Sequence, residues 1–141
     1  MPALLYISGF SGEREIVCSH KAIEFCQSLL PVDWKISENT VVQPDNLVVC
    51  FPLEGQYLTK APSLIFEILS KSTALKDQKT KFALYEQEGV SYYVLVSQDD
   101  KVAKVYQLVK GQYVKLADVD KAIVEFDLGQ CQLAFDFAKI W

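Results

Sequence analysis

The sequence predicts an α/β domain built on a mixed β-sheet with helices packed against it. Two runs, Leu47–Phe51 and Leu64–Leu69, are continuous apolar segments rich in β-formers, the pattern of strands buried on both faces. Two further stretches, Glu13–Leu30 and the segment from Ser70–Thr73 to Glu88, carry helix signals. The order is helix, several strands, helix, several strands, which is not a regular alternation of strand and helix. With 141 residues, half of them apolar and 23% charged, the chain has the size of a single domain, 1–141, and enough apolar surface for a core.

Each element has a local reason. Leu4–Ile7 is short and apolar and is ended by Ser8-Gly9-Phe10-Ser11-Gly12. From Glu13 to Leu30 the apolar positions 16, 17, 18, 22, 23, 25, 26, 29 and 30 are separated mostly by helical steps. Ser11 or Gly12 can cap that helix, Glu13 and Glu15 suit its positive end, and Pro31 stops it. Trp34-Lys35-Ile36-Ser37 alternates as a half-exposed strand does, and Thr40-Val41-Val42 leads into Pro44-Asp45. Pro52 to Pro62 is a loop containing Gly55. Gly89 is a C′ residue for the second helix. Tyr92–Val96, Val102–Leu108 and Tyr113–Leu116 follow as strands, turned at Asp99-Asp100 and Lys110-Gly111-Gln112. Ile123–Phe126 is a short strand, and Leu133–Trp141 is a last strand or helix.

Several function classes fall away. No glycine-rich phosphate loop of the G-x-G-x-x-G or Walker type is present. No apolar run approaches the ~18 residues of a membrane span. The N-terminus lacks a basic start and a long apolar middle, so no signal peptide is expected and a soluble cytoplasmic protein is. Cys18, Cys26, Cys50 and Cys131 form no C-x-x-C pair, and the lone His20 has no ligand-like partner. Their apolar neighbours predict buried free thiols in a reducing compartment. The net charge of -4 argues against holding duplex DNA by bulk charge. A local basic patch remains: Lys60, Lys71, Lys76, Lys79 and Lys81 against Glu67 and Asp77, which a solvated helix face would also explain.

The informative anomaly is Glu67, a carboxylate inside Leu64-Ile65-Phe66-Glu67-Ile68-Leu69. In a strand buried on both faces it needs a cation, either a basic side chain or a metal, unless it reaches water at a strand end. Pro44 marks a strand beginning or an edge, so Asp45 would project from a strand mouth. Alone, Asp45 reads as a turn residue. Across neighbouring antiparallel strands from Glu67 it would complete a two-carboxylate site for a hard cation. On the following helix Asp77 and Lys81 are i and i+4 and share a face. They form either an ordinary surface pair or a group that puts the Lys81 ammonium over the carboxylates.

These residues resemble a known family. Pro44-Asp45, Ala61 through Thr73, Asp77, Lys81, Ala83-Leu84-Tyr85, Gly89-Val90 and Tyr93-Val94-Leu95-Val96 look like the Uma-type family of restriction-endonuclease-like proteins, in the PD-(D/E)XK nuclease superfamily. The likeness is good from about Val41 to Val96 and colinear but weaker to Trp141. It implies a restriction-endonuclease-like core, a mixed central sheet flanked by the two helices. It also implies that Asp45 and Glu67 bind the metal and that Lys81 is the catalytic lysine, displaced from the position that Leu69 occupies. The sequence departs from the family pattern at Arg14, Tyr92 and Ser97, which bears on substrate handling. A first-helix acid, Glu13, Glu15 or Glu24, is a candidate additional ligand.

The function so implied is Mg²⁺-dependent, or Mn²⁺-dependent, hydrolysis of phosphodiester bonds in DNA. Lys81 would position the attacking water, Asp77 would be its accessory, and Lys71, Lys76 and Lys79 would be candidates for phosphate contact. The backbone carbonyl of Ile68 is a candidate further ligand. A homodimer is left open. The alternatives are a catalytically silent interaction or regulatory module on the same fold, and a metal enzyme with a substrate other than nucleic acid.

Overall fold

The computed structural model describes residues 16–18, 26–69, 75–129 and 131–141. The strands are β1 (Ile16–Cys18), β2 (Gln27–Leu29), β3 (Trp34–Ser37), β4 (Thr40–Val42), β5 (Asn46–Val49) and β6 (Leu64–Leu69). Helix α1 (Leu75–Glu88) follows, then β7 (Tyr92–Ser97), β8 (Val102–Val109), β9 (Gln112–Val119), β10 (Ile123–Asp127) and β11 (Cys131–Asp136), with a 3₁₀ turn over Phe137–Lys139. A six-stranded sheet runs in the order β2-β5-β6-β7-β8-β9. Within it β6 and β7 pair in parallel and the other neighbours are antiparallel. That single parallel pair is joined through α1, since parallel strands require a crossover. The sheet is therefore mixed, as the sequence predicts. A three-stranded sheet (β1-β11-β10) and a two-stranded one (β3-β4) complete the described structure.

Alternation along β6 assigns its two faces. Leu64 and Phe66 join a core with Phe126, Leu133, Phe135 and Phe137, so the small sheet covers that side. Ile65 joins a second core with Leu47, Tyr93 and Leu95 of the sheet and Tyr85 of α1, so the helix covers the other. Glu67 has the parity of Ile65 and points to the helix side. The helix ends as Gly89 implies. Gly89 has φ +84°, and the N–H of Val90 closes back on the carbonyl of Tyr85 at 3.1 Å. The β8–β9 turn places Lys110 and Gly111 at φ 52° and 81°, the left-handed pair of a tight hairpin. The outer strand β9 is tied to α1. Glu86 accepts a hydrogen bond from the N–H of Tyr113 at 2.6 Å, and the Tyr113 hydroxyl donates to the carbonyl of Val90 at 2.8 Å.

The first expected helix is corrected where it is described. Ile16–Cys18 and Gln27–Leu29 are strands, and α1 is the only α-helix among the described residues. The helical spacing between Glu13 and Leu30 is overridden by tertiary pairing. Ile16–Cys18 lies antiparallel to Cys131–Leu133, and Gln27–Leu29 to Leu47–Val49. Residues 19–25 of that stretch, the Leu4–Ile7 strand, the Ser70–Thr73 cap, Arg14, His20, and the acids Glu13, Glu15 and Glu24 lie outside the described residues. The free-thiol expectation is also corrected. Cys26 and Cys50 form a disulfide, because the register that sets Gln27 opposite Val49 brings the next residues out opposite one another. No helix among the described residues is long and apolar enough to cross a membrane.

Candidate active site

The β5–β6 register builds the site. Asn46 lies opposite Phe66, so one step further Asp45 comes opposite Glu67. The two are locked reciprocally through backbone amides. Asp45 N–H donates to Glu67 Oε1 at 2.9 Å, and Ile68 N–H donates to Asp45 Oδ2 at 2.8 Å. The third group arrives from α1: Lys81 Nζ lies 2.8 Å from Glu67 Oε2. Three stretches of chain thus bring Asp45, Glu67 and Lys81 together. Glu67 does not reach water at a strand end. Its side chain is 6% exposed, against 41% for Lys81, so the cation its burial demands is Lys81.

The electrostatics follow from that burial. Desolvation pushes the Glu67 carboxyl above its ordinary range, outweighing the hydrogen bond and charge of Lys81 that pull it down; the Asp45 charge adds to the rise. Lys81 is raised. Its own desolvation works against the charged form, but the hydrogen bond and charge of Glu67, then the charges of Asp45 and Asp77, outweigh it. Behind the pair stand Tyr85 and Tyr93, rings 5.3 Å apart, whose hydroxyls are pushed well up by burial first and by the Glu67 charge second. Among the described residues, the Tyr85 hydroxyl and Asn46 Oδ1 are buried without hydrogen-bond partners.

A recess of about 240 Å³ opens on these groups, lined by Asp45, Glu67, Ile68, Leu69, Gln78, Lys81, Tyr93 and Leu95. Gln78, Tyr93 and Leu95 are site residues that sequence reasoning missed. Only Gln78 left a signal, one turn before Lys81 on the same helix face. Asp77 is exposed and acts on Lys81 through its charge, while the Lys81 ammonium is bonded to Glu67. Lys79 is not brought to the recess. It lies on the outer face of α1, in an open depression of about 780 Å³ shared with Leu75, Thr80, Ala83, Leu84 and Gln87. That hollow is larger, but it holds no acid and no buried polar group, so the smaller recess is where chemistry can occur. Lys71 and the side chain of Lys76 lie outside the described residues.

Among the described residues no group of three or more His, Cys, Asp or Glu side chains converges to hold a metal. The donor set is instead the two carboxylates, with Ile68 among the residues lining the recess beside them. Asp45 Oδ1 takes no hydrogen bond from the described protein groups. An all-oxygen set of that kind fits a hard divalent cation that keeps water and phosphate oxygens in its sphere.

Comparison with known proteins agrees with this architecture. A crystal structure of a putative nuclease belonging to DUF820 from Anabaena variabilis ATCC 29413 superposes with a TM-score of 0.69 at 16% identity, covering 98% of this chain and 76% of that one. The fold is accordingly restriction-endonuclease-like and similar to that of this putative nuclease. No curated protein matches. The sequence profile of the Uma2 family, described as a putative restriction endonuclease, matches residues 16–134. A match over most of the chain, joined to the shared fold, shows that this protein belongs to the Uma2 family.

Proposed function

We propose that the protein is a divalent-metal-dependent endonuclease that hydrolyses phosphodiester bonds in DNA. The observation that carries this reading is the convergence of Asp45, Glu67 and Lys81 on one recess. Asp45 and Glu67, with the carbonyl of Ile68, would hold Mg²⁺ or Mn²⁺. Such an ion supplies charge neutralisation for phosphoryl oxygens and a more acidic water.

The protein's own groups do the rest. Glu67 Oε2 holds the Lys81 ammonium at the mouth of the recess, where it can orient an attacking water or offset charge developing on the phosphate. The amides of Asp45 and Ile68 fix the two carboxylates, so little reorganisation is needed when substrate arrives. Asp77 strengthens the charge on Lys81, and Lys71, Lys76 and Lys79 remain candidates for more distant phosphates.

The test is nicking of supercoiled plasmid with MgCl₂, with MnCl₂ and with EDTA, run beside thermal unfolding in the same buffers. Cleavage should require the metal. Lys81→Ala should lose cleavage by roughly 10²–10³-fold, the scale of removing one electrostatic contributor. It should keep the metal-induced rise in melting temperature, because Lys81 is not a ligand. Cleavage that persists in EDTA, or in Lys81→Ala, would refute the assignment. A parent with neither cleavage nor a metal-induced shift would point to a silent module on this fold.

A further inference from the structure

Tyr85 carries a buried hydroxyl that the proposed chemistry does not use. The residue is fully buried, and among the described residues its hydroxyl has no hydrogen-bond partner. Folded proteins seldom bury such a group unpaired, because nothing then replaces its lost hydration. Tyr113 on β9 shows the ordinary arrangement: its hydroxyl donates to the carbonyl of Val90 at 2.8 Å. Two rings hold Tyr85 in place, Trp34 stacked at 6.0 Å and Tyr93 edge-on at 5.3 Å. Phenylalanine would fill that packing role as well, so the hydroxyl needs a reason of its own.

The fold places that hydroxyl behind Glu67. β6 and β7 are parallel, so α1, which joins them, runs back against both, and its first turns stand over the end of β6 that carries Glu67. Tyr85 is four residues after Lys81 and shares its helix face, and side chains on a helix lean toward its N-terminus. The Tyr85 ring therefore reaches back under the turn of Lys81. Its electrostatics agree: after burial, the charge of Glu67 acts most strongly on the hydroxyl, ahead of Tyr93 and Asp45. Glu67 already has two donors. Asp45 N–H gives to Oε1 at 2.9 Å and Lys81 Nζ to Oε2 at 2.8 Å. The first is fixed in the backbone, whereas Lys81 is 41% exposed and has to face phosphate or water to act. Each such turn strips a buried carboxylate oxygen of its partner, which is costly unless another donor is at hand.

We propose that Tyr85 is a positioning residue whose hydroxyl is the reserve donor to Glu67, taking up Oε2 when the Lys81 ammonium turns to the phosphate. This rests on the nuclease reading of the recess and adds the group that keeps Glu67 oriented through turnover. No covalent bond is made or broken, and the phenol keeps its proton. The experiment is a double-mutant cycle read by thermal unfolding in EDTA, with steady-state nicking of supercoiled plasmid in saturating MgCl₂ beside it. In EDTA, Tyr85→Phe alone should melt no lower than the parent, since it removes an unpaired group. In a Lys81→Met background, where Glu67 has lost its ammonium, the same change should lower the melting temperature by several degrees. In MgCl₂, Tyr85→Phe should lower kcat by roughly 10-fold with KM unchanged, because the hydroxyl touches no substrate. Tyr113→Phe is the contrast: it loses a hydrogen bond already made, so it should melt lower than the parent and keep its kcat. An additive cycle, with Tyr85→Phe acting equally in both backgrounds, would overturn the reserve donor whatever the cleavage result. An unchanged kcat in Tyr85→Phe would overturn the positioning role and leave the nuclease reading intact. A parent that cleaves nothing would overturn the nuclease reading, and the positioning role with it.

Discussion

Asp45→Asn and Glu67→Gln are each expected to lower cleavage by roughly 10²–10³-fold and to abolish the metal-induced rise in melting temperature, without destabilising the metal-free protein. The two carboxylates face one another across β5 and β6, and Glu67 is almost fully buried. Neutralising either one removes repulsion between like charges. In Glu67→Gln the new side-chain amide oxygen can still accept from Asp45 N–H, and Lys81, partly exposed, can turn its ammonium to water. A divalent ion that binds only the folded parent adds RT ln(1 + [L]/Kd), about 2.7 kcal/mol at 100 times Kd, and the variants forfeit it.

The pH dependence gives that comparison a sign. The folded pKa of Glu67 lies above its ordinary value of 4.5, so the metal-free fold holds the proton more tightly than the unfolded chain does. Its contribution to stability is fully present below pH 4.5 and is lost as pH rises through the folded pKa. In EDTA, Glu67→Gln should therefore gain on the parent as pH rises above 4.5, the gap in melting temperature widening until the folded pKa is passed. With ~10 mM MgCl₂ the order should reverse at neutral pH. Equal metal shifts in parent and variants would place the ion elsewhere. A metal-free variant that melts far below the parent would make the acids structural partners.

Phe66→Ala should be the most damaging core substitution near the site, costing about 3–5 kcal/mol. Phe66 is fully buried on the face opposite Glu67 and meets Phe135 at 4.9 Å, with Phe126 and Phe137 each at 6.4 Å. The ring joins the six-stranded sheet to the small one, and its removal leaves a cavity lined by other rings that cannot easily close. Total stabilities of single domains are only about 5–15 kcal/mol, so the loss is a large share. Urea unfolding measures it. A change under about 1 kcal/mol would mean that the two sheets are not held together here. Because Phe66 is the residue before Glu67, partial activity in a folded variant would also report how far the β6 backbone depends on that packing.

The parts of the fold that were legible in the sequence are those set by local chemistry. The strand Leu64–Leu69 emerges with the expected bounds because its apolar run gives way to polar sequence at Ser70. The pairing of Asp45 with Glu67 was readable because proline starts a strand and a buried acid needs company. Lys81 has two readings on the helix that comes next, a surface pair or a group over the acids, and the family resemblance implies the second. What was not legible depends on distant partners. The helical spacing at Ile16–Cys18 and Gln27–Leu29 gives way to strands whose partners lie in β11 and β5. The Cys26–Cys50 bond needs a register that no local pattern encodes.

The Glu86–Tyr113 hydrogen bond has a consequence for the protein in crowded solution. A strand at the end of a sheet offers its unused amides to any extended chain that drifts by, and β9 carries exposed Val114 and Leu116 that would reward such a visitor. Glu86 takes one of those amides, the register irregularity between Val105 and Tyr106 distorts the ladder beside it, and Lys115 adds charge. Colloidal behaviour is thereby coupled to the helix that bears Lys81. Glu86→Ala should leave the recess intact yet scatter light and elute in larger species as concentration rises. A variant as monodisperse as the parent would show that the strand is protected by other means.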